Sequence, residues 1–226
     1  MKLTAIIVAA GSSRRMGFDK LLAPMAGKPV LQHSIEAFMN CDEVGEVILV
    51  CPRERLSQID IEFSSKSIRI IDGGLDRHDS VAAGLSLLPG AADETDSYIA
   101  VHDGARPLIT PCQISRVYHD ARKHDCAASA SRVSDTIKRA DDHGVVQESV
   151  SRENLWLMQT PQVFRSDLLM KAYRKVRSDG KRVTDEVSAL QLIGHSTYLV
   201  ENPGPNPKIT YPHDIPQAEK LLTADS

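Results

Sequence analysis

Short apolar runs alternate with amphipathic stretches along most of the chain, the pattern of a mostly parallel β-sheet flanked by helices. The apolar runs predict strands over Leu3–Ala10, Glu46–Val50, Ile68–Ile71, Tyr98–Val101 and Cys126–Val133, with later strands near Ser196–Val200 and Lys208–Tyr211. Leu31, Ile35, Phe38 and Met39 recur at helical spacing and predict a helix over Val30–Asn40. Val81, Leu85 and Leu88 share one face of a second predicted helix, Ser80–Leu88, behind Ser80 as its N-cap. Further helices are expected over Ser166–Val176, Thr184–Leu192 and Pro212–Leu222. The expected fold class is α/β, a Rossmann-like, mostly parallel sheet in a single domain spanning residues 1–226. Internal repeats, low-complexity segments and linkers are not found in it.

One stretch breaks the alternation. Asp135–Arg139 and Val145–Ser151 flank Ala140-Asp141-Asp142-His143-Gly144, whose Asp and Gly content signals a turn. The arms carry few large apolar residues, so a β-hairpin arm over about 134–152 should project from the body. Such an arm is usually just a loop, but it is also a common dimerisation device.

Composition then narrows the class. With 226 residues, 42% of them hydrophobic and 25% charged, the chain can bury a substantial core without metal or disulfide staples. A net charge of −3 argues against nucleic acid as a partner. Cys41, Cys51, Cys112 and Cys126 are scattered and form no CxxC pair, so they read as reduced residues packed as small hydrophobes in a cytoplasmic protein. The apolar runs fall short of the roughly 18–20 residues that span a membrane. The run Leu3–Ala10 faintly resembles a signal peptide, but Gly11-Ser12-Ser13-Arg14-Arg15 is a poor cleavage region, and a buried first strand is the better reading.

The chemistry concentrates after that strand, in Ala9-Ala10-Gly11-Ser12-Ser13-Arg14-Arg15-Met16-Gly17-Phe18-Asp19-Lys20. A glycine and small residues leaving a strand let backbone N–H groups approach an anion, and three cations follow within seven residues. Phosphoryl and nucleotidyl transfer need positive groups where charge gathers on phosphate oxygens. The loop lacks the G-K-[ST] ending of a Walker A loop and the G-x-G-x-x-G dinucleotide fingerprint, which weakens ATPase and dehydrogenase readings.

Ala9–Met16 followed by Lys20 resembles the signature loop of the sugar-phosphate nucleotidyltransferases, with Ser13 standing at the family's second loop glycine. Gly73-Gly74-Leu75-Asp76-Arg77-His78-Asp79-Ser80-Val81, Val101-His102-Asp103-Gly104-Ala105-Arg106-Pro107, Gln159-Thr160-Pro161-Gln162-Val163-Phe164, Thr184-Asp185-Glu186 and Asn206-Pro207-Lys208-Ile209-Thr210 follow in register. In this order they resemble the 2-C-methyl-D-erythritol 4-phosphate cytidylyltransferases, which use CTP in non-mevalonate isoprenoid synthesis, from residue 3 to about 222.

That resemblance implies a set of roles. The backbone of Ala9, Ala10, Gly11, Ser12 and Ser13 would hold cytosine and triphosphate, with Gly74 and Ser80 excluding purines. Arg15 and Lys20 would act on the α-phosphate, with Arg14 as a further cation. Asp103 would bind a hydroxyl, with Arg106 beside it; in isolation the pair reads rather as a local salt bridge. Lys208 would orient the sugar phosphate, Thr184 and Thr160 would contact substrate, and Arg152 and Thr136 on the hairpin would serve the neighbouring subunit of a homodimer with shared sites. The implied cofactor is Mg²⁺, held mainly by the triphosphate, with no protein metal site. The eight histidines show no zinc-ligand spacing. Transfer to another polyol phosphate, such as ribitol 5-phosphate, and a catalytically silent nucleotide-binding protein are the competing readings.

Overall fold

The first strand shows how the layers arise. In the computed structural model, which describes residues 3–11, 13, 16–57, 59, 66–89 and 97–224, β1 (Leu3–Val8) sends Leu3, Ala5 and Ile7 into one core and Ile6 into another on the opposite face. A strand buried on both faces needs a near-continuous apolar run rather than an alternating one, and LTAIIV supplies it with Thr4 as the single polar residue.

The other strands of its sheet are β4 (Val44–Val50), β5 (Ser67–Ile71), β6 (Tyr98–Asp103), β7 (Cys126–Arg132), β10 (Trp156–Arg165) and β11 (Tyr198–Glu201). Short β2 (Pro24–Met25) and β3 (Lys28–Pro29) form a small ribbon, and β8 (Ile137–Ala140) pairs with β9 (Val146–Val150). The helices are α1 (Val30–Met39), α2 (Arg53–Leu56), α3 (Arg77–Ser86), α4 (Pro111–His124), α5 (Ser166–Ser178), α6 (Glu186–Gln191) and α7 (Asp214–Ala224). The seven-stranded order is β11-β7-β10-β6-β1-β4-β5. Every pairing is parallel except those of β10, which runs against both β6 and β7. Residues of α1, α4 and α7 cover one face; those of α3, α5 and α6 cover the other. From β1 the chain builds outward through β4 and β5, then returns to place β6 on the other side of β1. Such a reversal opens a crevice at the carboxyl ends of the strands.

The mostly parallel sheet and the hairpin agree with expectation; several elements do not. Lys208–Tyr211 is not a strand. It is an irregular segment tied down where Ile209 N donates to Ala105 O at 2.8 Å. The helix expected from Ser80 begins at Arg77, with Asp76 at its N-cap and Asp76 N donating to Asp79 Oδ2 at 3.1 Å. Helix α4 was not expected, although its start is written in Thr110-Pro111-Cys112-Gln113: Thr110 Oγ1 accepts from Gln113 N and Gln113 Oε1 from Thr110 N. Strand β10 was read only as a motif; it contains Pro161, a residue rare in strand interiors. The register shift between Met158 and Gln162 accommodates that proline. Cys41, Cys51 and Cys126 are buried as expected, whereas Cys112 is exposed at the start of α4.

Candidate active site

The loop leaving β1, the turn before α3, the end of β6 and the segment around Lys208 enclose a cavity of about 590 Å³ above the carboxyl ends of β1 and β6. Ala9, Ala10, Gly11, Ser13 and Lys20 line it on one side, Gly74 and Ser80 on another, and Asp103 and Lys208 at its base. The structure thus brings together nine of the expected residues. Ser12, Arg14 and Arg15 lie outside the described residues.

The loops approach closely for want of side chains. A Cβ on Gly73 would stand 2.2 Å from that of Ala10, and one on Gly74 would stand 2.2 Å from that of Asp79. Ser80 is not the helix cap. It is buried, accepts from Gly74 N at 3.2 Å and donates to Asp76 O, bracing the turn from below. Ser13 holds the left-handed conformation, φ 52°, which explains why a glycine suits this position. Its hydroxyl accepts from Lys20 N at 3.3 Å, and Lys20 Nζ donates to Ile209 O at 2.7 Å.

Asp103 ends β6 with its carboxylate nearly buried between two cations. Arg77 Nε donates to Oδ1 at 2.8 Å and Lys208 Nζ to Oδ2 at 2.6 Å. Burial raises its pKa, but Arg77 and Lys208 outweigh burial and hold the carboxyl well below the usual carboxylate range. Arg77 also forks onto Glu186, Nη1 to Oε1 at 2.7 Å and Nη2 to Oε2 at 3.0 Å. Glu186 is fully buried and takes a third bond from Tyr173 Oη at 3.0 Å. Burial works against the Arg77 charge, but the two carboxylates reverse that and raise its pKa. Sequence reasoning assigned neither Arg77 nor Glu186 a role, although both lie inside quoted motifs. What marks them is a charged pair 109 residues apart, which only the fold brings together.

Arg106 does not pair with Asp103. Its Nη1 donates to Asn206 O at 2.6 Å and its Nη2 to Met158 O at 3.3 Å, so it braces the Asn206–Lys208 segment from beneath. Thr160 is likewise buried below the cavity. Its Oγ1 accepts from Asp103 N at 3.1 Å and lies 3.1 Å from His102 Nδ1, while His102 Nε2 lies 3.3 Å from Arg106 O. With the proton assigned to Nε2, a neutral His102 satisfies every member of this chain: Asp103 N–H to Thr160, Thr160 O–H to Nδ1, and Nε2–H to the Arg106 carbonyl. Burial pushes the His102 pKa down to about 3, consistent with a neutral ring.

The remaining candidates stand apart. Thr184 is exposed, its hydroxyl 3.3 Å from Ser188 Oγ. Thr136 and Arg152 are exposed at the base of the hairpin, where Arg152 Nη1 donates to Ser134 O. None of the three lines the cavity.

The donor set bears on the metal. Among the cavity-lining residues only Asp76 and Asp103 are carboxylates, and both oxygens of Asp103 already accept from cations. Asp76, His78 and Asp79 bring ligand atoms within 4.8 Å of one another, and Asp76 and Asp79 are already engaged in capping α3. Such a wall offers few free protein ligands, and a divalent ion there would be held chiefly through phosphate oxygens.

Comparison with known proteins bears on the family and the fold. A family model described as 2-C-methyl-D-erythritol 4-phosphate cytidylyltransferase matches residues 3–224. A protein of that name from Dehalococcoides mccartyi is 38% identical over 226 residues, covering 98% of this chain and 96% of the relative. The crystal structure of the Francisella tularensis protein of that name superposes with a TM-score of 0.84 at 27% identity, covering 98% of this chain and 100% of the other. The 4-diphosphocytidyl-2C-methyl-D-erythritol synthase from Anaerococcus prevotii gives a TM-score of 0.84 at 26% identity over 98% of this chain and 96% of the other.

Proposed function

The chain belongs to the 2-C-methyl-D-erythritol 4-phosphate cytidylyltransferase family, and from that premise we propose how its residues divide the transfer of CMP from CTP. It is a nucleotidyltransferase of non-mevalonate isoprenoid synthesis, joining CMP to 2-C-methyl-D-erythritol 4-phosphate and releasing pyrophosphate. A phosphate oxygen of the sugar attacks the α-phosphorus in line. A new P–O bond forms there as the bond to the β-phosphate breaks, and the electron pair leaves with pyrophosphate. The protein contributes position and positive charge rather than a covalent nucleophile.

The observation that carries the assignment is the Arg77–Asp103–Lys208 array at the base of the cavity. Asp103, fixed and ionised, accepts a substrate hydroxyl, and Lys208 grips the attacking phosphate. Lys20 and Arg15 stabilise charge on the α-phosphate, with Arg14 as a further cation. Backbone groups of Ala9–Ser13, closed by the Gly74–Ser80 turn, read cytosine. Arg106 and Thr160 act beneath the surface as braces, and Thr184 supplies a further contact near the acceptor. Mg²⁺, when bound, neutralises triphosphate charge.

The whole chain, 1–226, acts as one nucleotidyltransferase domain. The outward hairpin, with Val145, Val146 and nearby Leu157 more than half exposed, supports a homodimer in which Thr136 and Arg152 reach a partner's site. Four free cysteines, three of them buried, support a reducing, cytoplasmic setting.

A pyrophosphate-release screen tests the reading. CTP with 2-C-methyl-D-erythritol 4-phosphate should turn over, while ribitol 5-phosphate as acceptor, or GTP as donor, should be poor. Preferred turnover on ribitol 5-phosphate would move the assignment to that acceptor, and failure with every acceptor would leave a nucleotide-binding protein.

A further inference from the structure

Helix α2 is only four residues long, yet it carries a charged side chain into the interior: Arg55 is 8% exposed. Strand β4 lies directly beside β1, so the turn leaving β4 must run alongside the loop leaving β1. Arg55 crosses that short gap, and its side-chain hydrogen bonds all fall on one segment. Nη1 donates to Ala9 O, Nη2 to Gly11 O at 3.3 Å, and Nε to Asp19 Oδ2 at 2.8 Å. The other oxygen of Asp19 accepts from Leu21 N at 3.1 Å, so the carboxylate spans the backbone on both sides of Lys20.

We propose that Arg55 is the positioning residue of the nucleotide loop, holding both its ends, Ala9–Gly11 and Asp19–Leu21, in register so that the loop presents its groups to the triphosphate. This rests on the nucleotide-binding reading of that loop. Two carbonyl oxygens turned onto a guanidinium are kept from facing an incoming polyanion. One planar cation meets three acceptors more than 35 residues away in sequence, a task for a fork of donors rather than the point charge of lysine. Arg55 is absent from the cavity lining and need not touch substrate.

The experiment compares wild type, Arg55→Ala, Arg55→Lys, Asp19→Asn and the double variant Arg55→Ala/Asp19→Asn by CTP titration calorimetry, steady-state kinetics and thermal melting. Arg55→Ala should weaken CTP binding about 10- to 100-fold and raise the KM for CTP, as misplaced binding groups do. The KM for the sugar phosphate should stay within about twofold. Arg55→Lys should recover little, and free guanidinium should partly rescue Arg55→Ala. Asp19→Asn, which keeps the arginine, should show a smaller loss in the same direction. The double variant separates geometry from charge, because it also removes the carboxylate that Arg55→Ala leaves unpaired. A loss persisting in the double variant supports positioning, whereas recovery to within twofold of wild type overturns it. So does CTP affinity unchanged in a folded Arg55→Ala protein, or a lowered melting temperature with equal losses for both substrates. Should wild type itself bind no CTP, the functional reading fails, independently of Arg55.

Discussion

The base of the cavity and the hairpin arm both carry arginines opposed to carboxylates, and they differ in nearly everything else. At the base, Arg77 joins Asp103 to Glu186, and Glu186 is fully buried. On the arm, Arg139 faces Glu148 with both side chains more than half exposed. The geometry of the pairs is similar; the surrounding dielectric is not. A buried array can hold a carboxylate ionised and fixed before substrate arrives. An exposed pair, screened and mobile, acquires a definite role only if something covers it. The chain therefore contains a buried, mutually paired array at the base of the cavity and a second set of polar groups presented outward.

The sharpest way to break this contrast is to delete one arginine. Arg77→Ala leaves Glu186 and Asp103 short of their shared cation and should cost about 3–5 kcal/mol of stability, as loss of one partner from a buried pair does. Urea denaturation measures it; a loss below about 1 kcal/mol would show that the array contributes little.

Next comes pH. His102, fully buried, takes no proton in the folded state until pH about 3, whereas unfolded histidine protonates near 6.5. The unfolded state thus binds more protons between those values, and stability falls as pH drops through that window. From pH 7 to pH 5 the loss should be about 2 kcal/mol from this residue. The fall should flatten in His102→Gln, and equal pH slopes in the two proteins would refute a neutral buried ring.

The arm is tested by complementation. Lys20→Ala and Arg152→Ala should each be nearly inactive, Lys20→Ala by about 100-fold or more as loss of one charge-stabilising group predicts. If Arg152 serves a partner's site, half the dimers formed by random exchange are mixed, and each mixed dimer has one intact site. Roughly a quarter of wild-type activity should return on co-refolding, as two-fold symmetry requires. Verified mixed dimers without recovery would place Arg152 in its own subunit's site or in none.

The smallest effect belongs to Arg139→Ala, which should move the melting temperature by no more than about 2 °C. A larger shift that depends on protein concentration would mean that the arm is buried in an assembly.

Periodicity and motif order were enough to read the parallel sheet, the hairpin, the loop after β1 and the family, because these follow from local patterning and from residues near one another in the chain. The run LTAIIV requires a strand covered on both faces wherever the chain places it. The partners of Asp103 could not be read that way. A charge pairs with whatever cation lies nearest in space, and the fold supplies Arg77, 26 residues back, and Lys208, 105 residues ahead, in place of the adjacent Arg106. Thr160 and Ser80 were visible as hydroxyls, but only burial and hydrogen-bond direction made Thr160 a brace below the cavity and turned the lining Ser80 hydroxyl onto its own turn. Only the packing of the turn after β4 against the loop after β1 brought Arg55 to that loop, since its contacts join segments that nothing in the linear pattern connects.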